Sequence, residues 1–400
     1  MLYLDHAATS PVRPEVLEAM TPYLAGGFRG VFGNPSSHHT VGEAAARALD
    51  DARARVAAIV GMRTNDVVFT SGGTEANNLA VKGVTLAALA QGRNHVVISQ
   101  VEHESIHEAA AYLERFHGTQ VTRVGVDEQG RVCPDAVAQA CTSETALVSL
   151  AHANNEIGTV QPVADIVRLV REHRIPGDSN IPGHSDIPVH IDAVQSAGWL
   201  PLAGLGADAV SLAGHKLGAP KGIGVLAVRG RIPLEPLLHG GGQERGKRSG
   251  TENVAAAVGF ATALECAEAE RAEVVRQSTE ATAAFIRAVL DRVPCAALTG
   301  SAAMDDPQQR LPSIASFTFS EVSGEAVLLE LERRGIVTSS GSACAAGSDD
   351  PSPVLLACGI EPRTAQTSVR FAFGRTPLPP DAAEQLALVV AESVAAVTHP

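Results

Sequence analysis

The sequence contains no uninterrupted apolar run that approaches the length of a membrane span. Its first residues also lack a basic region followed by an apolar stretch, which is the pattern of a secretory leader. Positive charge is scarce as well, since the formal net charge is -13, and this opposes unspecific binding to nucleic acid or anionic lipid. We therefore expect a cytoplasmic protein whose partners are small molecules or other proteins, with no direct binding to nucleic acid or membranes.

Paired cysteines are missing too. The six cysteines, none of them in CxxC spacing, are Cys133, Cys141, Cys266, Cys295, Cys344 and Cys358. Neither a disulfide framework nor a zinc knuckle is predicted, and we expect at most one or two of these thiols to carry chemistry.

The chain has 400 residues, of which 45% are hydrophobic and 19% are charged. That length and composition predict a globular two-domain enzyme rather than a small binding module.

Short apolar runs alternate with helical stretches from about residue 65 to 230, which predicts a mainly parallel sheet covered by helices. The predicted strands are Val67–Thr70, Val96–Ser99, Ala146–Leu150, Val189–Asp192, Val210–Leu212 and Val225–Val228. After residue 260 the pattern indicates a smaller α+β domain, with a long helix at 261–291, strands at 314–319 and 368–373, a helix at 324–334 and a final helix. The Pro- and Gly-rich segment 175–188 reads as an expanded surface loop.

The sequence Ala213-Gly214-His215-Lys216 follows an apolar run and precedes a glycine-rich turn. This pattern places Lys216 at the carboxyl end of a strand, the edge at which open α/β sheets bind ligands. A lysine in a partly dry pocket can lose its proton and form a Schiff base, as pyridoxal phosphate requires. The alternative for an isolated His-Lys pair is a surface lysine after a buried strand.

Two further stretches fit other parts of the same cofactor. The segment Ser71–Asn77 joins a strand to a helix, so its backbone amides and the Thr74 hydroxyl can meet a phosphate, although such glycine turns are common. Asp192 closes an apolar strand and can pair with a protonated pyridine nitrogen, which keeps the ring an electron sink; a helix-capping aspartate is the alternative. Gln195 can reach the phenolic oxygen of the ring.

His103 begins a predicted helix, where an imidazole can stack on a flat ring. The stretch His103-Glu104-Ser105-Ile106-His107 also fits the HExxH pattern of zinc hydrolases. The zinc interpretation is disfavoured because the motif starts in the first helical turn and no third ligand follows at the spacing of the extended motifs. We predict no metal site; an exposed helix start with two polar histidines is the simpler alternative.

Two loops complete the set. Gly240–Thr251 is glycine-rich and basic within an acidic chain, which suits a loop that approaches an anion or else a flexible surface loop. Gly341–Ser348 places Cys344 among small residues that cannot bury it well. Such a thiol is a few per cent ionised near neutral pH and can reach a substrate, although most isolated cysteines are structural.

Taken together, these motifs resemble the NifS/IscS-type cysteine desulfurases, fold-type I pyridoxal-phosphate enzymes related to class V aminotransferases. The resemblance runs from Tyr3–Thr9 through Gly33–His38 to Val369–Phe371, nearly the whole chain. It implies an α/β large domain of residues 14–262 with a mainly parallel seven-stranded sheet. It also implies a smaller α+β C-terminal domain of residues 263–400, which carries the Cys344 loop and to which residues 1–13 return.

The resemblance implies a role for each site residue. The residues around pyridoxal phosphate are Lys216 as its Schiff-base lysine, His103 stacked on the ring and assisting proton transfer, Asp192 at the ring nitrogen, Gln195 at the phenolic oxygen, and Gly73, Thr74, His215 and the partner subunit's Thr251 at the phosphate. The substrate-binding residues are Asn34, Asn155 and Arg370, the last as a bidentate clamp for a carboxylate. A shared Thr251 implies an obligate homodimer.

The implied reaction begins when L-cysteine displaces Lys216, whose freed amine moves the α-proton. Cys344 then attacks the substrate sulfur, alanine leaves, and a persulfide on Cys344 passes sulfur to an acceptor protein of iron–sulfur cluster assembly, tRNA thiolation or another pathway. The loop between Cys344 and Val354 resembles the long-loop branch of the family. Ala213, where serine is common, removes one phosphate contact, and Gln243 stands where histidine is frequent.

Three alternatives stay open at this point. A selenocysteine lyase or a class V transaminase uses the same lysine and aspartate, although Cys344 argues against the transaminase. A zinc hydrolase is the second, and a non-enzymatic sulfur-relay scaffold with the same fold is the third. The presence of Lys216, Asp192, Cys344 and Arg370 together favours catalysis.

Overall fold

The computed structural model describes residues 1–25, 30–173, 186–341, 350–379 and 381–398. Within them the strands are β1 Leu2–Tyr3, β2 Val67–Thr70, β3 His95–Ser99, β4 Gln120–Val124, β5 Thr145–Ala151, β6 Val189–Asp192, β7 Ala209–Ala213, β8 Gly224–Val228, β9 Ala296–Leu298, β10 Ile314–Phe319, β11 Ile336–Val337 and β12 Val369–Ala372. The α-helices are α1 Pro14–Leu24, α2 Thr40–Val60, α3 Gly73–Asn78, α4 Val84–Leu89, α5 Glu104–His117, α6 Pro134–Ala140, α7 Val163–Glu172, α8 Val254–Arg292, α9 Gly324–Arg333, α10 Pro353–Ala357, α11 Pro362–Ala365 and α12 Ala382–Thr398.

The largest sheet has seven strands in the order β2-β8-β7-β6-β5-β3-β4. Strands β3 to β7 run parallel, whereas β8 is antiparallel to its neighbours β7 and β2. Six of these strands, all except β4, are buried along their whole length, as expected for a sheet with helices on both faces. The predicted α/β fold class and seven-stranded sheet are confirmed.

The sequence prediction missed β4 and placed the start of the long helix too late. Strand β4 lies at the sheet edge and is mostly exposed or half-buried, so it lacks the continuous apolar run of the central strands. Helix α8 begins at Val254 rather than 261, because the Asn253 side chain caps it by accepting a hydrogen bond from the Ala256 N–H at 3.1 Å.

Two smaller sheets follow the large one. Strands β12, β10 and β9 form an antiparallel sheet, and β1 pairs in parallel with β11, with Leu2 opposite Ile336. A cluster of edge-to-face aromatic rings packs the first of these sheets against α8; its rings belong to Phe285, Phe317, Phe371 and Phe373. The proposed domain division at residues 262 and 263 falls inside α8.

Two predicted features lie partly or wholly outside the described residues. Most of the expanded loop at 175–188 falls there, and so does Cys344. In the part of the chain that the structure describes, no helix is both long and apolar enough to cross a membrane.

Candidate active site

A cavity of about 360 Å³ opens where strands β5, β6 and β7 end. Of the predicted site residues, those that line it are Gly73, Thr74, His103, Asn155, Asp192, Gln195, His215, Lys216 and Arg370. Asn34 and Thr251 do not line it and are exposed; the Asn34 amide oxygen instead accepts a hydrogen bond from the Ser36 N–H at 2.9 Å. Residues far apart in sequence therefore meet at the sheet edge that topology favours for ligands.

Lys216 enters the cavity from the turn that ends β7. Its ammonium donates hydrogen bonds to the carbonyl oxygens of Ala7 and, at 2.9 Å, of Ala8. The Gln195 amide donates to the same Ala7 carbonyl at 2.9 Å. The N-terminal segment thus forms one wall of the cavity and places the lysine amine beside it.

His215 precedes the lysine and lies 3.3 Å from the Thr9 hydroxyl through Nδ1. Burial, together with the positive charges of Lys216 and Lys221, lowers the pKa of His215 to about 4. The imidazole is therefore neutral at pH 7, and it can serve as a hydrogen-bond donor to an anion but not as a second cation.

Asp192 ends β6 and is buried at the cavity wall. One carboxylate oxygen accepts a hydrogen bond from the Val194 N–H at 2.9 Å, and the other accepts from the Asn77 amide at 2.7 Å. Asn77 had no predicted role. Its position one helical turn after Thr74 puts both residues on the same face of α3, and that spacing was the available signal.

His103 is the residue that caps α5. Its Nδ1 atom accepts a hydrogen bond from the Ser105 N–H at 3.1 Å and lies 2.8 Å from the Ser105 hydroxyl. Nδ1 is therefore occupied by hydrogen bonds within the protein. Within the described ranges, no group of three or more His, Cys, Asp or Glu side chains is arranged to hold a metal ion, so the HExxH sequence does not form the centre of a ligand cluster there.

Arg370 on β12 supplies positive charge to the cavity while its side chain is 1% exposed. The guanidinium donates to the Asp5 carboxylate at 2.8 Å and to the carbonyl oxygens of Asn155 at 3.0 Å and Gly341 at 3.4 Å. The Asn155 turn is held in place by Asn154, whose side-chain oxygen accepts from two following backbone N–H groups at 2.8 and 3.0 Å. The planar donor group can turn one edge to a small carboxylate.

The start of α3 forms a second, more open recess beside Lys216. Thr9, Gly73, Thr74 and His215 line it. A Cβ atom on Gly73 would lie 2.9 Å from a Val194 methyl group and 3.2 Å from the Ala213 Cβ. Only glycine therefore fits here without displacing the cavity wall, and this close approach leaves backbone N–H groups accessible to an anion.

The basic loop 240–251 is anchored to helices α2 and α3 by two ion pairs. Arg53 and Glu244 form a buried pair at 2.5 Å, and Arg248 pairs with Glu75 at 2.9 Å. Glu244 and Arg245 adopt φ values of 48° and 58°, which non-glycine residues rarely do. These anchors fix the loop while Thr251 stays exposed.

Glu102 is a buried carboxyl group next to the site, and it had no predicted role. The Ser99 hydroxyl donates to one of its oxygens, and the other has no hydrogen-bond partner in the described part of the chain. Burial raises the pKa of Glu102 to about 8, with a smaller contribution from the charge of Asp192. This carboxyl group is therefore mostly protonated at neutral pH.

The raised pKa of Glu102 predicts a pH-dependent stability. Between its usual pKa of 4.5 and about 8, the folded chain binds the proton more tightly than the unfolded chain does. Stability from this group is therefore complete below pH 4.5 and is lost as pH rises through 8. We expect Glu102→Gln to reduce the fall in melting temperature between pH 5 and pH 8. Thermal unfolding across that range measures it, with Glu104→Gln on the exposed helix start as the control, and equal slopes for wild type and Glu102→Gln would contradict the prediction.

The sequence profile of the family described as aminotransferase class-V matches residues 2–377. The cysteine desulfurase IscS of Dictyoglomus turgidum is 40% identical over 375 residues, which cover 93% of this chain and 89% of that relative. Among solved structures, a NifS-like protein has a TM-score of 0.86 at 30% identity and covers 98% of this chain and 99% of its own. SspA in complex with cysteine has a TM-score of 0.77 at 33% identity, with coverage of 94% and 100%.

Proposed function

Because the chain belongs to the class V aminotransferase family and, within it, to the IscS-type cysteine desulfurases, we propose that its cavity removes sulfur from L-cysteine, releases L-alanine and leaves a persulfide on Cys344. The observation that carries this proposal is the meeting of Lys216, Asp192 and Arg370 around one cavity. They provide an amine, a carboxylate and a carboxylate-binding cation, the groups that an amino-acid reaction with pyridoxal phosphate requires.

The residues present fit pyridoxal phosphate. Asp192 offers a fixed, buried carboxylate that can pair with the ring nitrogen, and Lys216 places a primary amine in the same cavity. The open recess at the start of α3, lined by Gly73, Thr74 and the neutral His215, suits the phosphate. When bound there, the cofactor supplies a sink for the electron pair left behind when the substrate α-proton departs.

The polar side chains of the cavity bind the substrate and move its proton. Arg370 binds the substrate carboxylate, with Asn155 beside it, and so orients the α-carbon in the cavity. The Lys216 amine would take the α-proton from the substrate carbon. His103 would cover the ring face of the cofactor, and Gln195 would donate a hydrogen bond to its phenolic oxygen.

The sulfur step is a displacement on sulfur. The Cys344 thiolate attacks the sulfur of the bound cysteine, a new S–S bond forms as the C–S bond breaks, and the carbon fragment takes up a proton and leaves as alanine. Cys344 follows Gly341 by three positions, and the Gly341 carbonyl contacts the carboxylate-binding Arg370. That contact supports assigning this cysteine, rather than a distant one, as the nucleophile.

We further propose a homodimer with shared active sites, in which Thr251 of the partner subunit contacts the phosphate. The anchored loop 240–251 and the exposed Thr251 support this arrangement. The persulfide then passes to a sulfur-acceptor protein of iron–sulfur cluster assembly or of a thiolation pathway. A selenocysteine lyase is the second candidate, since it needs the same lysine, aspartate and arginine.

The proposed function is tested by measuring products of L-cysteine with the purified, cofactor-loaded chain and a reductant. Equal amounts of alanine and sulfide without any 2-oxo acid are expected. If amino groups move from cysteine to added 2-oxoglutarate and no alanine appears, the protein is a transaminase. Alanine from selenocysteine but none from cysteine would instead identify a lyase for selenocysteine.

The glycine at position 73 is predicted to be essential for cofactor affinity. Gly73→Ala adds a methyl group 2.9 Å from Val194, which pushes the start of α3 away from the cavity wall. We expect the dissociation constant of pyridoxal phosphate to rise about tenfold or more, the effect of an overpacked contact. Titration of the apo protein by absorbance measures it. Gly125→Ala is the matched control, because Gly125 lines neither the cavity nor the recess and a Cβ there meets only the Gln100 side chain, at 3.8 Å; equal affinities for the two variants would refute the assigned role.

A further inference from the structure

A continuous chain of hydrogen bonds joins the buried carboxylate of Asp192 to His103, the residue that would stack on the cofactor ring. Asn77 donates from its single amide nitrogen to Asp192 at 2.7 Å and to the Ser105 hydroxyl at 2.9 Å. The Ser105 oxygen is in turn 2.8 Å from Nδ1 of His103. The four side chains come from three segments, namely α3, the end of β6 and the start of α5.

The direction of each hydrogen bond follows from the chemistry of the groups. A carboxylate only accepts, so the amide of Asn77 must turn its NH2 group towards Asp192, and the second N–H then points at Ser105. The Asn77 amide oxygen has no partner in the described part of the chain, so no bond there competes to reverse the amide. A reversed amide would place its oxygen against the carboxylate oxygen.

Because the Ser105 oxygen accepts from Asn77, its own O–H is left to donate, and Nδ1 of His103 is the acceptor within reach. The backbone N–H of Ser105 donates to the same nitrogen at 3.1 Å. Nδ1 must therefore present its lone pair, and a neutral ring then carries its proton on Nε2. Protonation of Nδ1 would break two hydrogen bonds and leave the buried Ser105 N–H without an acceptor.

We propose that Asn77 and Ser105 are positioning residues that hold His103 in the Nε2–H tautomer, so that the ring at the cofactor acts as a hydrogen-bond donor and not as the base. The position of His103 at the start of α5 acts in the same direction, since a helix N-terminus disfavours a positive charge. Uptake of the substrate α-proton then falls to Lys216 alone. The catalytic meaning rests on the proposed function, whereas the tautomer is a property of the chain.

Nitrogen NMR of the full-length, cofactor-loaded protein tests the proposal directly. The protein is labelled with 15N in its histidine rings, and the His103 signals are identified by their loss in His103→Gln. We expect an unprotonated Nδ1 and a protonated Nε2 at neutral pH. A protonated Nδ1, either in the charged ring or in the opposite tautomer, would overturn the proposal.

Variants at Ser105 test whether the hydroxyl itself, rather than the local fold, sets the protonation of His103. Ser105→Ala removes one donor to Nδ1, and we expect the fraction of His103 protonated there to rise about fivefold, the effect of one hydrogen bond. The kcat for cysteine should fall while its KM stays unchanged, because Arg370 is untouched. Ser105→Thr should restore the wild-type nitrogen signals. Ser316→Ala, which removes a buried hydroxyl without a described partner, should leave them unchanged.

Wild-type nitrogen signals in Ser105→Ala would refute the role of the hydroxyl. These spectra do not depend on turnover. Absence of alanine production together with the expected nitrogen signals would therefore count against the proposed function and leave the hydrogen-bond chain standing.

Discussion

Lys216→Ala abolishes the visible absorption of the bound cofactor and lowers the rate of alanine formation by about 10³-fold, within the range of a lost general base. The expected loss has two causes. The amine that links the cofactor to the chain disappears, and with it the group that moves the α-proton. Spectra of the reconstituted variant and alanine release from L-cysteine measure the two effects separately.

Lys216→Arg distinguishes this chemistry from a packing effect. Arginine can still donate to the Ala7 and Ala8 carbonyls, as the lysine ammonium does, but it cannot form a Schiff base. We therefore expect the arginine variant to fold as wild type in thermal unfolding and to lack both absorption and activity. Lys82→Ala, which removes a lysine that lies over the Tyr112 ring, is the control and should keep both. A Lys216→Arg variant that kept both the visible absorption and the activity would contradict the assignment of Lys216 as the Schiff-base lysine.

The central sheet was largely predictable because its strands are buried on both faces and read as continuous apolar runs. The bounds of β2 and β6 agree with the sequence prediction at both ends, Val67–Thr70 and Val189–Asp192. The antiparallel direction of β8 was not predictable, since an apolar run does not encode strand direction. Edge strand β4 was not predicted, because only one of its five residues is buried and it therefore lacks a continuous apolar run.

The side chains that hold the site together were harder to predict than those that face the ligand. Lys216 and Asp192 follow buried strands, so their place at the sheet edge can be read from the pattern. Asn77 and Ser105 are polar residues in helical segments, and the partner of Asn77 is 115 positions away in Asp192. No local pattern encodes that pairing, which exists only once α3 packs against the end of β6.

A residue's place in a family motif is weaker evidence for its role than its contacts in the structure. Asn34 belongs to a stretch that matches the family, yet within this chain it is exposed and its amide oxygen closes a local turn with Ser36. Its assigned role in substrate binding stays a proposal, as do the residue roles around the cofactor. Arg370 differs, because its burial and its bonds to Asp5 and Asn155 place its charge at the cavity.

Cys344→Ala is expected to keep the cofactor and its colour but to stop persulfide formation. Every group that binds cofactor and cysteine is still present, whereas the nucleophile that accepts the sulfur is gone. Alanine release should fall by at least about 10²-fold. Mass spectrometry after brief reaction with L-cysteine should find one added sulfur atom on wild type and none on the variant.

The other cysteines supply matched controls, because their thiols differ from Cys344 in a testable way. Burial raises the pKa of both Cys141 and Cys358 to about 12, so almost no thiolate exists at pH 7 and neither can attack sulfur efficiently. Cys133 is exposed but lies outside the cavity lining. Cys358→Ser and Cys133→Ala should therefore retain persulfide formation. If Cys344→Ala still turned over cysteine at the wild-type rate, Cys344 would not be the sulfur acceptor.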